Sequence, residues 1–387
     1  MPRKLAKRMD RVSPSATMEI RRRAEELRRQ GVEVIDLGPG EPDFDTPDAV
    51  KRAGIAAIEE GFTKYTQAGG IPELRAAIAA RYRRDYGARY SPEEVMVAAG
   101  AKQALFSVGL ALFEEGDEVL IPVPYWVTYP EVVKLCGAEP VFVPTDPEDG
   151  FHLNPEAVAE RVTPHTKALI VNSPCNPTGA LLGPEELSAL ASLARDHDFY
   201  VIFDDAYEAI VYERGPFSAA ALKGKHVIVV GSLSKSHAMP GWRIGWVLAP
   251  QEVIRAALAI QSHSITHPTS ISQRAALAAL EGPWDEVRKM VEEFRRRRDL
   301  GAEGLNRIPG VKCPVPEGAF YLFPDVSVYL GGDSAALARL LLEEAHVAVV
   351  PGEAFGWPGR LRISLTQPTE KLEEAIGRIA RVLEEQG

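Results

Sequence analysis

Lys235 is the residue around which chemistry is most readily built. It closes Ser232-Leu-Ser-Lys235, directly after the apolar run HVIVVGSLS, in a chain where arginine far outnumbers lysine. A lysine there stands at the C-terminal end of a buried strand, where open α/β sheets bind ligands. Three other segments leave apolar runs in the same manner. Val171-Asn-Ser-Pro-Cys-Asn-Pro-Thr-Gly179 fixes Asn176 in a stiff turn. Phe203-Asp204-Asp205-Ala-Tyr207 places a carboxylate at a strand exit, with a phenol three residues on. Ala98-Ala-Gly100-Ala101-Lys102-Gln joins a strand to a helix whose free amides suit a phosphate. Each has a plain structural account taken singly: a snorkelling lysine, a turn, an N-cap, a packing glycine. Four such ends on one sheet point to a ligand site.

A lysine, a buried carboxylate, a phenol, an amide and a phosphate cradle together meet the needs of pyridoxal phosphate. The lysine amine condenses with the aldehyde, and the carboxylate keeps the pyridine nitrogen protonated so that the ring accepts electrons. The phenol and amide hydrogen-bond the 3′ oxygen, while glycine, serine and arginine groups take the phosphate. Rival signatures are missing. Gly38-Pro-Gly40 has Asp43 where a dinucleotide fingerprint needs its third glycine, and no Walker loop, His-Glu-x-x-His or Gly-x-Ser-x-Gly occurs. Ser232 to Lys235 matches the Ser-x-x-Lys of penicillin-binding enzymes, but their Ser-Asp-Asn and Lys-Thr-Gly partners are not found. His263 and His267 lie four apart in SHSITHPTS, which reads as non-helical, so no metal pair is expected.

These residues require a sheet to carry them. Short β-branched runs at 94–98, 118–122, 140–144, 167–172, 199–203, 226–230 and 244–248 alternate with helical periods at 102–113, 128–136 and 184–196. Several lack polar/apolar alternation, as strands buried on both faces do. The expected fold is therefore α/β, a large domain with a mostly parallel seven-stranded sheet flanked by helices, plus a smaller α+β domain. The large domain is assigned to 46–285. The small one joins 1–45 to 286–387, with helices at 15–30, 284–306, 334–345 and 369–385 and strands at 32–37, 319–323, 347–350 and 361–364. Helices at 47–60 and 72–86 complete the reading.

Composition limits the partners. Of 387 residues, 45% are hydrophobic and 25% charged, which is globular usage. The net charge of −10 disfavours nucleic acid and anionic membranes. The basic runs at 21–23 and 295–298 read as solvated helix faces beside glutamates. Three scattered cysteines form no disulfide framework, no apolar run is long enough to span a membrane, and the basic N-terminus lacks an apolar signal core. A cytoplasmic location is expected.

NSPCNPTG, SLSKSHAMPGWRIGW and EPDFDTP stand in the order found in one family. The sequence resembles the fold-type I, class I aminotransferases, in particular the bacterial aspartate aminotransferase-like branch, from SPSAT at 13–17 to RLRIS at 360–364. The resemblance implies that Lys235 carries the cofactor and shuttles a proton, and that Asp204 pairs with the ring nitrogen. It implies that Asn176 and Tyr207 bond the 3′ oxygen and that Trp126 stacks on the ring. Gly100, Ala101, Lys102, Ser232 and Arg243 would hold the phosphate. Arg362 would clamp the substrate α-carboxylate, with Asn176 and the backbone at Gly40, and Tyr65 would reach the neighbouring subunit's phosphate across a homodimer interface. The partners implied are an amino acid and a 2-oxo acid.

Three readings stay open beside this one: a C–S lyase on the same scaffold, an aromatic or broad-specificity aminotransferase with prephenate as a candidate acceptor, and a non-catalytic regulator. The last needs a DNA-binding head, for which the sequence leaves no room. On substrate choice, the stretch Gln261-Ser-His-Ser264 lacks the arginine that one branch uses for dicarboxylates. Lys102 stands where Ser or Thr is common, and is weighed as a reader of a distal carboxylate against a further phosphate ligand. Aspartate or glutamate, with oxaloacetate or 2-oxoglutarate, are the expected substrates.

Overall fold

A computed structural model describes residues 5–12, 17–215 and 217–386. The SPSAT motif, apart from the backbone of Thr17, and the side chain of Met18 lie outside the described residues. Twelve helices, α1–α12, are found among them: Thr17–Arg29, Asp48–Glu59, Pro72–Tyr86, Ala101–Leu112, Thr128–Leu135, Pro155–Ala159, Pro184–Asp196, Gln251–Ser264, Ser270–Glu281, Asp285–Asn306, Ser334–Leu340 and Thr369–Glu384. The strands β1–β12 are Ile35–Asp36, Val95–Ala98, Glu118–Val123, Glu139–Pro144, Thr166–Asn172, Tyr200–Asp204, Val227–Ser232, Gly245–Leu248, Tyr321–Leu322, Val347–Ala348, Val350–Pro351 and Leu361–Ser364.

Seven strands form the main sheet in the order β2-β8-β7-β6-β5-β3-β4, with only β8 antiparallel to its neighbours. The reason lies in the residues. Met96, Val119, Ile121, Ile228 and Val230 pack to one side with α4, α5 and α8. Val95, Val97, Val201, Phe203 and Val229 pack to the other with α3, α7 and α9. Period two thus sends successive side chains to two buried faces. Each large apolar side chain so buried contributes about 1.5–3 kcal/mol.

A second core gathers α1, α10, α11 and α12 around two small sheets, β1-β10 and β11-β12-β9. Ile35 pairs with Val347, which brings the segment before α2 beside the C-terminal part of the chain.

Several expectations need correction. The strand read at 32–37 shortens to Ile35–Asp36, and that at 347–350 divides into Val347–Ala348 and Val350–Pro351. The helix read at 334–345 changes after Leu340 into a π turn, Leu341–Ala345. The strand read at 319–323 shortens to two residues, because Ala319 takes a left-handed φ of 57°. α8 continues through Ser264, carried by Val253, Ile254 and Ala257 on its buried side, so His263 is helical and only His267 lies beyond the helix end. Gln261 to Ser264 is therefore a final helical turn rather than a loop, and Gln261 is buried, donating to the carbonyls of Ala68 and Val97. Finally, Arg295–Arg298 is only half a solvated face. Arg295 pairs with Glu292, but Arg297 and Arg298 are buried and clamp Asp43 and Glu213.

Candidate active site

The C-terminal ends of β2, β5, β6 and β7 lie at one edge of the main sheet, and the segments that follow them line a cleft of about 560 Å³. Gly38 and Gly40 close it from the segment after β1, and Arg362 enters it from β12. Of the residues expected from the sequence, Lys235, Asp204, Tyr207, Asn176, Ala101, Lys102, Trp126, Ser232, Arg243, Gly40 and Arg362 all line this cleft.

Lys235 donates from Nζ to the carbonyl of Gly40. Burial lowers its pKa to about 8, with the cations of Arg362 and Arg243 acting in the same direction and Glu41 opposing. A neutral amine is thereby within reach near physiological pH. Asp204, at the end of β6, is 3% exposed and accepts from the Tyr129 hydroxyl at 2.8 Å and the Ala206 amide at 3.1 Å. Burial pushes its carboxyl up to about 6 against those two hydrogen bonds. Tyr207 meets the Tyr321 hydroxyl at 2.7 Å, and burial raises its pKa well above that of a free phenol, so it stays a donor.

Asn176 accepts from Arg362 Nη1 at 3.0 Å, which leaves its amide Nδ2 free to donate. The peptides Ser173–Pro174 and Asn176–Pro177 in its turn are both cis. Arg362 also donates from Nη2 to the Gly38 carbonyl at 2.6 Å, and its guanidinium lies 4.5 Å from the Tyr321 ring centroid. Its Nε is buried with no partner, a donor that a carboxylate would satisfy.

At the phosphate end, Gly100 caps α4 with a φ of 90°, and a Cβ there would fall inside the Arg243 guanidinium. A Cβ on Gly245 would strike the Ala101 amide, so glycine on β8 lets the helix N-terminus approach the sheet edge. Lys102 is half-buried with Nζ 4.9 Å from the Trp126 ring centroid, and burial followed by Arg243 lowers its pKa. Tyr65 stands apart. It is 88% exposed, touches the His267 ring edge-on at 5.5 Å, and does not line the cleft.

Sequence reasoning missed Tyr129, Asn172 and Tyr321. Asn172 accepts from the Asn176 amide at 2.8 Å and donates to the Asp204 carbonyl at 2.9 Å, tying two strand ends together. The Asn172 side chain lies within the quoted NSPCNPTG context and could have been read from it. Tyr129 and Tyr321 carry no local signal.

The donor set fits pyridoxal phosphate: a lysine with a lowered pKa, an acceptor buried beside it, an amide with a free Nδ2, and a glycine cradle under an arginine. A fold-type I pyridoxal phosphate enzyme is what this sheet and this cleft define. Residues 32–379 match the family "Aminotransferase class I and II"; the chain belongs to that family of pyridoxal phosphate-dependent enzymes and is an aminotransferase. It is 47% identical to a probable aspartate/prephenate aminotransferase of Aquifex aeolicus, with all of both chains covered. It is likewise 47% identical to the aspartate/prephenate aminotransferase of Thermus thermophilus, covering 98% of this chain and 99% of the other. A solved structure of Thermus thermophilus aspartate aminotransferase with maleate superposes with a TM-score of 0.95 at 46% identity, covering 98% of this chain and 100% of that one.

Proposed function

We propose that this enzyme exchanges amino groups between aspartate or glutamate and the oxo acids oxaloacetate or 2-oxoglutarate, with prephenate as a further acceptor. The observation that carries this is Lys102, a lysine that lines the same cleft as the Arg362 carboxylate clamp. The names of the relatives, and the dicarboxylate maleate in one of them, support the same choice.

The bound cofactor supplies an electron sink for the substrate's Cα. Around it, Arg362 and Asn176 would orient the α-carboxylate, and Trp126 would cover the ring. Asp204 would serve the ring nitrogen, and Asn176 and Tyr207 would donate toward the 3′ oxygen. Gly100, Ala101, Ser232 and Arg243 would hold the phosphate. Lys235 Nζ, with its depressed pKa, takes the proton from Cα. The units doing this are residues 46–285, which hold the cofactor groups, and 1–45 with 286–387, which bring Gly40 and Arg362. The three free cysteines accord with a cytoplasmic location.

Mixing the holoenzyme with aspartate alone tests the reaction class. One stoichiometric turnover that bleaches the yellow colour is expected, while continuous release of pyruvate, ammonia and a thiol from an S-substituted cysteine given in place of aspartate would make it a C–S lyase. Lys102→Ser tests the substrate. It should lower kcat/KM for aspartate by about 1–3 kcal/mol in transition-state terms while sparing alanine and phenylalanine. Equal losses for all amino acids would make Lys102 a phosphate ligand only.

The working species is further proposed to be a homodimer. Tyr65 is exposed on its own subunit, where its ring meets His267 edge-on and takes no part in lining its own cleft. Across a two-fold axis it would complete the neighbour's phosphate site. Tyr65→Ala is expected to weaken cofactor affinity about tenfold by loss of a hydrogen bond to a charged group. A fully active monomer in sedimentation at assay concentration would overturn the dimer.

A further inference from the structure

We propose that Tyr129 is a positioning residue for amino transfer, holding Asp204 ionised and aimed into the cleft. Few groups serve that carboxylate. Asp204 Oδ2 accepts from the Tyr129 hydroxyl at 2.8 Å, and Oδ1 from the Ala206 amide at 3.1 Å. Each oxygen thus has one fixed donor and keeps a lone pair for a ligand. Among the described residues no other side chain is hydrogen-bonded to the carboxylate.

The neighbouring groups are committed elsewhere. Asp205, next along the chain, turns to the Ser218 hydroxyl. Tyr207 is bonded to Tyr321. Asn172, at the end of β5, donates to the Asp204 carbonyl rather than to its carboxylate, and accepts from the Asn176 backbone amide. Cys175, in the turn beyond β5, is held neutral because burial raises its pKa. Lys235, beyond β7, is the one cation whose charge favours the ionised carboxylate. The Tyr129 hydroxyl is itself fixed. Its ring is 4% exposed on α5 and meets the Trp126 ring edge-on at 5.4 Å.

A carboxylate this deeply buried tends toward its neutral form, which is a poorer acceptor, and each donor removed moves it further that way. Burial already pushes Asp204 up to about 6, with the Tyr129 hydrogen bond opposing. Removing the hydroxyl should raise that value. The ionised fraction then falls most at acid pH and recovers as pH rises.

The inference rests on Asp204 as the acceptor for the ring nitrogen, so its test is read beside Asp204→Ala. In the Tyr129→Phe holoenzyme, kcat for aspartate should fall about tenfold at pH 6 and come within about threefold of wild type at pH 9, with KM little changed. Pyridoxal phosphate affinity, measured by absorbance titration of cofactor-stripped protein, should weaken with the same pH dependence. A second variant carries 2,3-difluorotyrosine at position 129, whose more acidic hydroxyl is a stronger donor on a ring of closely similar size. Its acid limb should move to lower pH, the opposite direction, which keeps the test decisive if the Phe variant fails to fold. Profiles parallel to wild type, or both variants shifting the same way, overturn the proposal. Normal turnover by Asp204→Ala would instead overturn the underlying role of Asp204.

Discussion

Replacing Lys235 with alanine is expected to abolish amino transfer, by more than about 10⁴-fold, while the chain stays folded and retains cofactor non-covalently. The loss should fall on kcat, because Arg362 and Asn176 still meet the substrate carboxylate. Stopped-flow absorbance with aspartate checks this, and an active Lys235→Ala enzyme ends the assignment. The same site makes a thermodynamic prediction. Burial holds the Lys235 pKa at about 8, below its ordinary 10.5, so the folded chain binds fewer protons than the unfolded one between those values. Stability of the cofactor-free protein from this group therefore rises with pH from about 8 to 10.5 and is least favourable below. In Lys235→Met that increment vanishes, and the melting temperature at pH 7 should exceed that of the wild type. An equal or lower value would show that the amine is not held against its charge.

Asp204→Ala should cost roughly 10³-fold or more in kcat, since a ring nitrogen without an anionic partner stores little of the charge that leaves Cα. Asp204→Glu is expected to recover part of that loss and Asp204→Asn little, separating charge from hydrogen bonding. In the cofactor-free protein the buried carboxyl takes up its proton as pH falls through about 6, so cofactor affinity should decline over that range. Near-normal turnover by Asp204→Ala would remove this residue from the reaction.

The main sheet was legible because burial on both faces writes the same β-branched run seven times, and each run marks its own strand. The site was legible where chemistry and a strand end coincide, as at Lys235, Asp204 and Asn176. What stayed hidden depends on packing between distant segments. Tyr129 is one aromatic among several on an ordinary amphipathic helix, and only the fold brings its hydroxyl to Asp204. Arg297 looks like its exposed neighbour Arg296 in sequence, yet it faces Asp43 and the Leu365 carbonyl inside the molecule. The turn at Gln261–Ser264 reads as irregular from its Ser and His content, but the buried side of α8 overrides those propensities.

The hydrogen bond from Arg362 to the Gly38 carbonyl joins residues 324 positions apart, whereas Asn176, Asp204, Tyr207, Ser232 and Lys235 follow one another within the middle of the chain. On the ribosome, where the chain emerges from its N-terminus, the groups for the cofactor are all translated long before the arginine that grips the substrate. Translation therefore supplies the parts of the site in a fixed order, the cofactor groups first and the substrate arginine with β12, the last strand.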